Sequence, residues 1–148
     1  MNGGNEMSIP TRRERLAHAA KHCPLWNSGD REAWVASWRT IAKGALTMYD
    51  PAGTEMKSGP DAADYMGHTF DLFQKHLKMK MFTVHVNGNE MAWVIECRFA
   101  GRDPMHSIET FRWDDDGTLH VKTYYTMPSS VGEHDDPYAF LLADVEQR

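Results

Sequence analysis

Residues Phe82–Phe99 read FTVHVNGNEMAWVIECRF, and this stretch decides the fold. Two runs rich in β-branched and aromatic residues flank Asn87-Gly88-Asn89, a turn whose glycine takes the positive φ that tight hairpins need. The pattern predicts an antiparallel hairpin of Phe82–Val86 and Met91–Phe99. Ala100–Pro104 then turns the chain into a strand over His106–Trp113. Asp114-Asp115-Asp116-Gly117 turns it once more into a last strand over Leu119–Tyr125. The three aspartates read as solvated turn residues, because the spaced oxygen ligands of a calcium loop are missing.

Upstream of this meander the apolar period lengthens to that of helices. Thr11 and Glu14 form a capping box, and Leu16, Ala19, Ala20 and Cys23 recur at helical spacing until Pro24, which predicts the end of the first helix. Asn27-Ser28-Gly29-Asp30 turns the chain and caps a second helix with Ala33, Trp34 and Trp38 as its buried stripe. A short strand over Ala45–Tyr49 stops at Asp50-Pro51-Ala52-Gly53, with Glu55–Lys57 as its short partner. Ser58-Gly59-Pro60-Asp61 opens a third helix to about His76, with Ala62, Tyr65, Met66, Thr69, Phe70, Phe73 and Leu77 on one face. Beyond a polar linker, Tyr138, Phe140, Leu141, Leu142 and Val145 mark an apolar C-terminal helix.

Helices gathered ahead of a long meander define an α+β domain. The expected architecture is a cone-shaped, curved antiparallel sheet with three N-terminal helices on its concave face. Along the chain this gives a flexible start at 1–10, a core domain at 11–126, and a linker with the C-terminal helix at 127–148.

With 148 residues, the chain is long enough for one domain with a real core. A formal charge of −5 with scattered basic residues argues against nucleic acid or an anionic membrane as partner. Ten methionines, five tryptophans, five tyrosines and six phenylalanines suit either a core or an apolar ligand cavity. Cys23 and Cys97 lack CxxC spacing, and neither a signal peptide nor a membrane-spanning apolar run is present, so a reducing, cytoplasmic setting is expected. A disulfide between the two cysteines stays open.

The element order, together with Trp26-Asn27-Ser28-Gly29-Asp30-Arg31-Glu32-Ala33, Tyr49-Asp50-Pro51-Ala52-Gly53 and Phe111-Arg112-Trp113-Asp114-Asp115-Asp116-Gly117, resembles the nuclear transport factor 2-like fold. More narrowly it resembles the ketosteroid isomerase and SnoaL-like branches, over roughly Leu16 to Thr126. The resemblance implies a homodimer formed through the convex face of the sheet. It also implies that Asp50 stands at the catalytic base and Glu109 at the position of an oxyanion-holding acid. The tyrosine of those isomerases, on the first helix, is replaced near His22. His76 lies close to a histidine that related dehydrating enzymes use near the end of the third helix, whereas Ser28 stands where they carry the orienting aspartate.

Chemically, an aspartate beside an apolar cavity is desolvated and becomes a better proton acceptor, while an Asp-Pro-x-Gly turn also lets the carboxylate cap its own backbone. Both readings of Asp50 stand at this point. Glu109 shares one strand face with Ser107, Phe111 and Trp113; it is either a protonated donor in the cavity or the partner of Arg98 or Arg112. Among the histidines His22, His76, His85 and His106, no pair has metal-ligand spacing, so no metal is expected. Tyr49, Tyr65, Phe111, Trp113, Lys122 and Tyr124 are the candidate substrate contacts. The expected activity is a cofactor-independent isomerase, cyclase or lyase acting on a small hydrophobic carbonyl or phenolic molecule; a non-catalytic binding or interaction module is the alternative.

Overall fold

The computed structural model describes residues 9–57 and 61–148. Residues 1–8, most of the stretch read as a flexible start, and 58–60 in the turn before the third helix lie outside the described residues.

Helix α1 spans Arg12–Ser28, with the predicted capping box at Thr11 and Glu14. It does not end at Pro24, which sits inside it. Pro24 and Ala20, one turn earlier, both lie on the solvent side, so the carbonyl that proline leaves unpaired need not be buried. The segment beyond is held by the sheet: Trp26 Nε1 donates to Leu77 O at 2.9 Å and Asn27 Nδ2 to Met79 O at 2.8 Å. The helix finishes at Gly29, whose φ of 81° suits a glycine C-cap. Its buried face also departs from the apolar stripe, since Leu16 and Ala20 are exposed and Arg15, His18, Ala19, His22, Cys23 and Trp26 are buried. Arg15 tolerates burial because Nη1 donates to Gly88 O and Glu90 O, at 2.9 and 3.1 Å, in the first hairpin.

Helix α2 spans Arg31–Ile41, capped by Asp30, and strand β1 spans Leu46–Tyr49. Helix α3 spans Ala62–Phe73, capped by Asp61 and followed by a 3-10 turn at Gln74–His76. Then come β2 at Leu77–Asn87, β3 at Glu90–Phe99, β4 at Met105–Trp113 and β5 at Leu119–Thr126. Helix α4 spans Pro137–Glu146. Glu55–Lys57 form no strand; the segment gives β1 only the bond from Lys57 N–H to Met48 O.

The five strands form one curved, open sheet in the order β1-β5-β4-β3-β2. The meander β2–β5 is antiparallel throughout, and β1 adds a parallel edge along β5, with Leu46 opposite Leu119 and Tyr49 opposite Lys122. This makes the architecture the expected α+β fold, with α4 as a fourth helix docked on α3, where Tyr138 packs on Tyr65 and Phe73 while Leu141 and Val145 are also buried. All five tryptophans are buried between the helices and the sheet. Among the described residues no helix is long and apolar enough to cross a membrane.

Candidate active site

Period two along β1 turns Leu46, Met48 and Asp50 toward the helices and Thr47 and Tyr49 toward the opposite face. Asp50 is therefore buried at the strand end, just before the cis Asp50–Pro51 peptide. Its side chain does not cap its own turn. Tyr65 on α3 donates to Oδ2 at 3.0 Å and Tyr125 on β5 donates to Oδ1 at 2.5 Å. The turn is held separately by Thr54, whose N–H and hydroxyl both donate to Pro51 O, and by Lys57, whose ammonium donates to the Asp50 carbonyl.

Glu109 is the second buried acid, on the face of β4 that meets the helices. Trp93, its partner on β3, donates Nε1–H to Oε1 at 2.9 Å. Thr123, its partner on β5, donates its hydroxyl to Oε2 at 3.0 Å. The alternative ion pair is not made, because Arg98 pairs with Glu96 and Arg112 with Asp114. Thr123 and Tyr125 are one pleat repeat apart, roughly 7 Å, so β5 positions both acids at once.

Both carboxyls line a cavity of about 80 Å³ between the helices and the sheet, room for on the order of five waters. Its wall is aromatic and thioether-rich, and among the described residues no lysine or arginine lines it. Burial raises the Asp50 carboxyl to about 6, against the opposing pull of the Tyr125 and Tyr65 hydroxyls and the Lys57 ammonium. Burial, and then the charge of Asp50, lifts Glu109 to about 7 against its bonds from Trp93 and Thr123. Burial and the neighbouring Asp50 push the Tyr65 and Tyr125 phenols upward, so both remain donors.

Each acid accepts two hydrogen bonds, Asp50 from the phenols of Tyr65 and Tyr125, Glu109 from the Trp93 indole and the Thr123 hydroxyl. Glu109 is nevertheless lifted further, to about 7 against about 6, because the charge of Asp50 adds to its burial. At neutral pH the pair accordingly favours one proton, carried by Glu109.

His22 and Tyr65 also line this cavity. Burial holds the His22 imidazole well below its ordinary value, so it is neutral. The other expected contacts lie elsewhere. His76 occupies the 3-10 turn, half-buried and outside the cavity wall. Phe111 and Trp113 are core: Phe111 stacks on Trp38, and Trp113 donates its indole N–H to Ile41 O at 3.0 Å. Tyr49, Lys122 and Tyr124 point to the convex face, where they border a groove with Arg112 and His120. Strand parity requires this, since Asp50, Thr123 and Tyr125 face inward.

Tyr125, Thr123 and, from α4, Tyr138 complete the site without having been singled out as site residues in the sequence, and Trp93 joins them. The signal for Tyr125 and Thr123 was their parity with the apolar Leu119 and Val121. Tyr138 lies 6.3 Å from Tyr65, ring to ring, making α4 part of the cavity wall. Cys23 and Cys97 are free and buried, with thiols pushed up to about 12 by burial. Among the described residues no three His, Cys, Asp or Glu side chains cluster as a metal site requires.

The fold is that of nuclear transport factor 2-like proteins. No family model matches the chain, and no curated protein matches it. Among solved structures it is similar to a steroid Δ-isomerase from Pseudomonas aeruginosa, at TM-score 0.61 and 14% identity over 95% of this chain and 94% of that one. It is similar as well to the epoxide hydrolase/cyclase-like enzyme SalBIII of pyran ring formation in polyether salinomycin, at 0.58 and 15% identity over 78% and 92%. A de novo designed protein with a curved β-sheet matches at 0.59 and 11% identity over 93% and 98%. A designed scaffold among the neighbours makes plain that the likeness concerns the fold, and that function must be argued from the site.

Proposed function

We propose that the chain is an acid–base enzyme acting, without metal or organic cofactor, on a small, uncharged, largely apolar carbonyl or phenolic compound, with Asp50 as base and Glu109 as acid. The observation that carries this reading is the pair of buried carboxyls, each held by two hydrogen bonds, on one apolar cavity. Asp50 accepts a proton from the carbon beside the carbonyl while Glu109 gives its own to the carbonyl oxygen, producing a neutral enol. Return of the Asp50 proton to another carbon of a conjugated system, with Glu109 recovering its proton from oxygen, completes an isomerisation. The same two movements close or open a ring when Asp50 deprotonates a hydroxyl and Glu109 protonates an ether or epoxide oxygen. The solved neighbours named for steroid isomerisation and pyran ring formation give both reactions a precedent on this fold.

The test is hydrogen exchange at the methylene carbons of indan-2-one in deuterated buffer near neutral pH, followed by NMR. Wild type should exchange them faster than buffer, and Asp50→Asn should lose about 100-fold or more of that acceleration. Wild type exchanging no faster than buffer, or Asp50→Asn as fast as wild type, would sink the assignment.

A further inference from the structure

Three of the five buried indole N–H groups have protein acceptors: Trp26 on Leu77 O, Trp93 on Glu109 and Trp113 on Ile41 O. The other two, on Trp34 and Trp38, are buried without a partner, and both residues line the cavity one turn apart on α2. On α1, His22 Nδ1 is also buried and unpartnered. The three rings form a triangle with centroid separations of 5.6 Å for His22–Trp34, 5.5 Å for His22–Trp38 and 6.1 Å for Trp34–Trp38. Of the seven buried, unpartnered side-chain nitrogens and oxygens among the described residues, four belong to residues of this one cavity, the fourth being Thr69 Oγ1. Buried donors are normally satisfied, and a group of unsatisfied ones on one wall marks where a ligand supplies the acceptor.

We propose that this wall is a second subsite of the cavity, in which the indole N–H groups of Trp34 and Trp38, with His22 beside them, hold an oxygen of an uncharged ligand. The inference rests on the acid–base reading in placing the reacting end of that ligand at Asp50 and Glu109. The ligand class is a flat, mainly apolar ketone, ether or alcohol. An anion is disfavoured by two carboxyls and no lining lysine or arginine among the described residues, and a cation by a wall that offers N–H donors. These nitrogens are shut off from solvent. Met48, Met66, Met79 and Met105 line the same space, and their flexible thioethers are the parts that yield as a ligand enters. Among the rings around the two indoles, Trp26 lies edge-to-face 4.9 Å from Trp34 and His18 edge-to-face 5.0 Å from Trp38, and ring faces are weak acceptors.

The probes are 5-methoxyindan-2-one and 5-ethylindan-2-one, which share the reacting carbonyl and a shape and differ in the remote ether oxygen. In spectra of protein labelled with 15N at the indoles, with peaks assigned by single Trp→Phe variants, the ether should move the Trp34 and Trp38 N–H resonances downfield of where the ethyl compound sets them. Wild type should bind the ether about tenfold or more tightly than the ethyl compound, and the double variant Trp34→Phe/Trp38→Phe should lose that preference. The double variant also loses packed ring area and should unfold earlier on heating; if it fails to fold, the wild-type spectra decide. Trp34 and Trp38 resonances that both probes move alike, a double variant that keeps the preference for the ether, or a wild type that binds neither probe overturns the subsite. A preference kept by the double variant, with Asp50→Asn losing exchange, rejects the subsite and leaves the acid–base pair standing. A preference lost in the double variant, with Asp50→Asn still exchanging as wild type, keeps the subsite and rejects the base.

Discussion

Glu109→Gln is expected to leave stability nearly unchanged in acid and to raise it at neutral and alkaline pH. The Glu109 carboxyl is lifted from 4.5 to about 7 by burial, with the Asp50 charge adding to the shift. Between those values the folded protein holds a proton that the unfolded chain has lost, so the free energy of unfolding falls as pH rises. Stability fully present below pH 4.5 is thus lost as pH passes through about 7. At roughly 1.4 kcal/mol per pKa unit, the loss is on the order of 3 kcal/mol. Glutamine copies the protonated acid, because its oxygen accepts from Trp93 and its amide donates to Thr123, so the variant is spared that loss. Asp50, raised from 3.8 to about 6, adds a slope of the same sign. The two titrate as a pair, and removing the Glu109 charge moves the remaining slope to lower pH. Urea unfolding followed by tryptophan fluorescence, on wild type and variant from about pH 4 to pH 9, measures the difference curve directly. A difference flat across the neutral range, or one favouring wild type as pH rises, would refute the claim that Glu109 is desolvated in the folded state.

Tyr125→Phe removes the 2.5 Å bond to Asp50, so the acid limb of the pH–exchange profile should move to higher pH and stability should drop by roughly 1–3 kcal/mol; an unmoved limb argues that this phenol does not tune the base. Gly44→Ala would set a Cβ 2.7 Å from Thr118 N and 2.9 Å from Gly117 C, both backbone atoms of the β4–β5 turn, and should cost about 1–3 kcal/mol in thermal unfolding. On the convex face, Val94, Ile108 and Tyr124 align across β3, β4 and β5, with Ile108 at 42% and Tyr124 at 46% exposure. The homodimer expected from the sequence would cover this row, so Ile108→Lys should convert a dimer to monomer in sedimentation velocity; a monomeric wild type rejects that pairing.

The parts of the fold that rest on local chemistry were legible in the sequence. Asn87-Gly88-Asn89 and Asp114–Gly117 carry their own turn geometry, with Gly88 and Gly117 at positive φ, and Thr11, Asp30 and Asp61 carry their own helix caps. Helix α1 was not legible in the same way, because its buried face is polar. Arg15 Nη1 donates to hairpin carbonyls more than seventy residues away, and His18 and His22 are buried among Trp38 and Trp93. An apolar stripe cannot register partners supplied by another element, so it selected the exposed Leu16 and Ala20 instead.

The site shows where sequence reasoning had more to offer. Adjacent residues of a strand face opposite ways, so a cavity that takes Asp50 excludes Tyr49. The turn after β4 pairs Trp113 with Leu119, and counting back along the hairpin sets Glu109 opposite Thr123. A buried Glu109 therefore brings Thr123 and Tyr125 inward and sends Lys122 and Tyr124 out, whatever their chemical appeal. Only the parallel placement of β1 beside β5 lay beyond this logic, and it is that edge pairing which sets Asp50 within reach of Tyr125. The two acids thus meet through β5, whose inward Thr123 and Tyr125 hold Glu109 and Asp50 in turn.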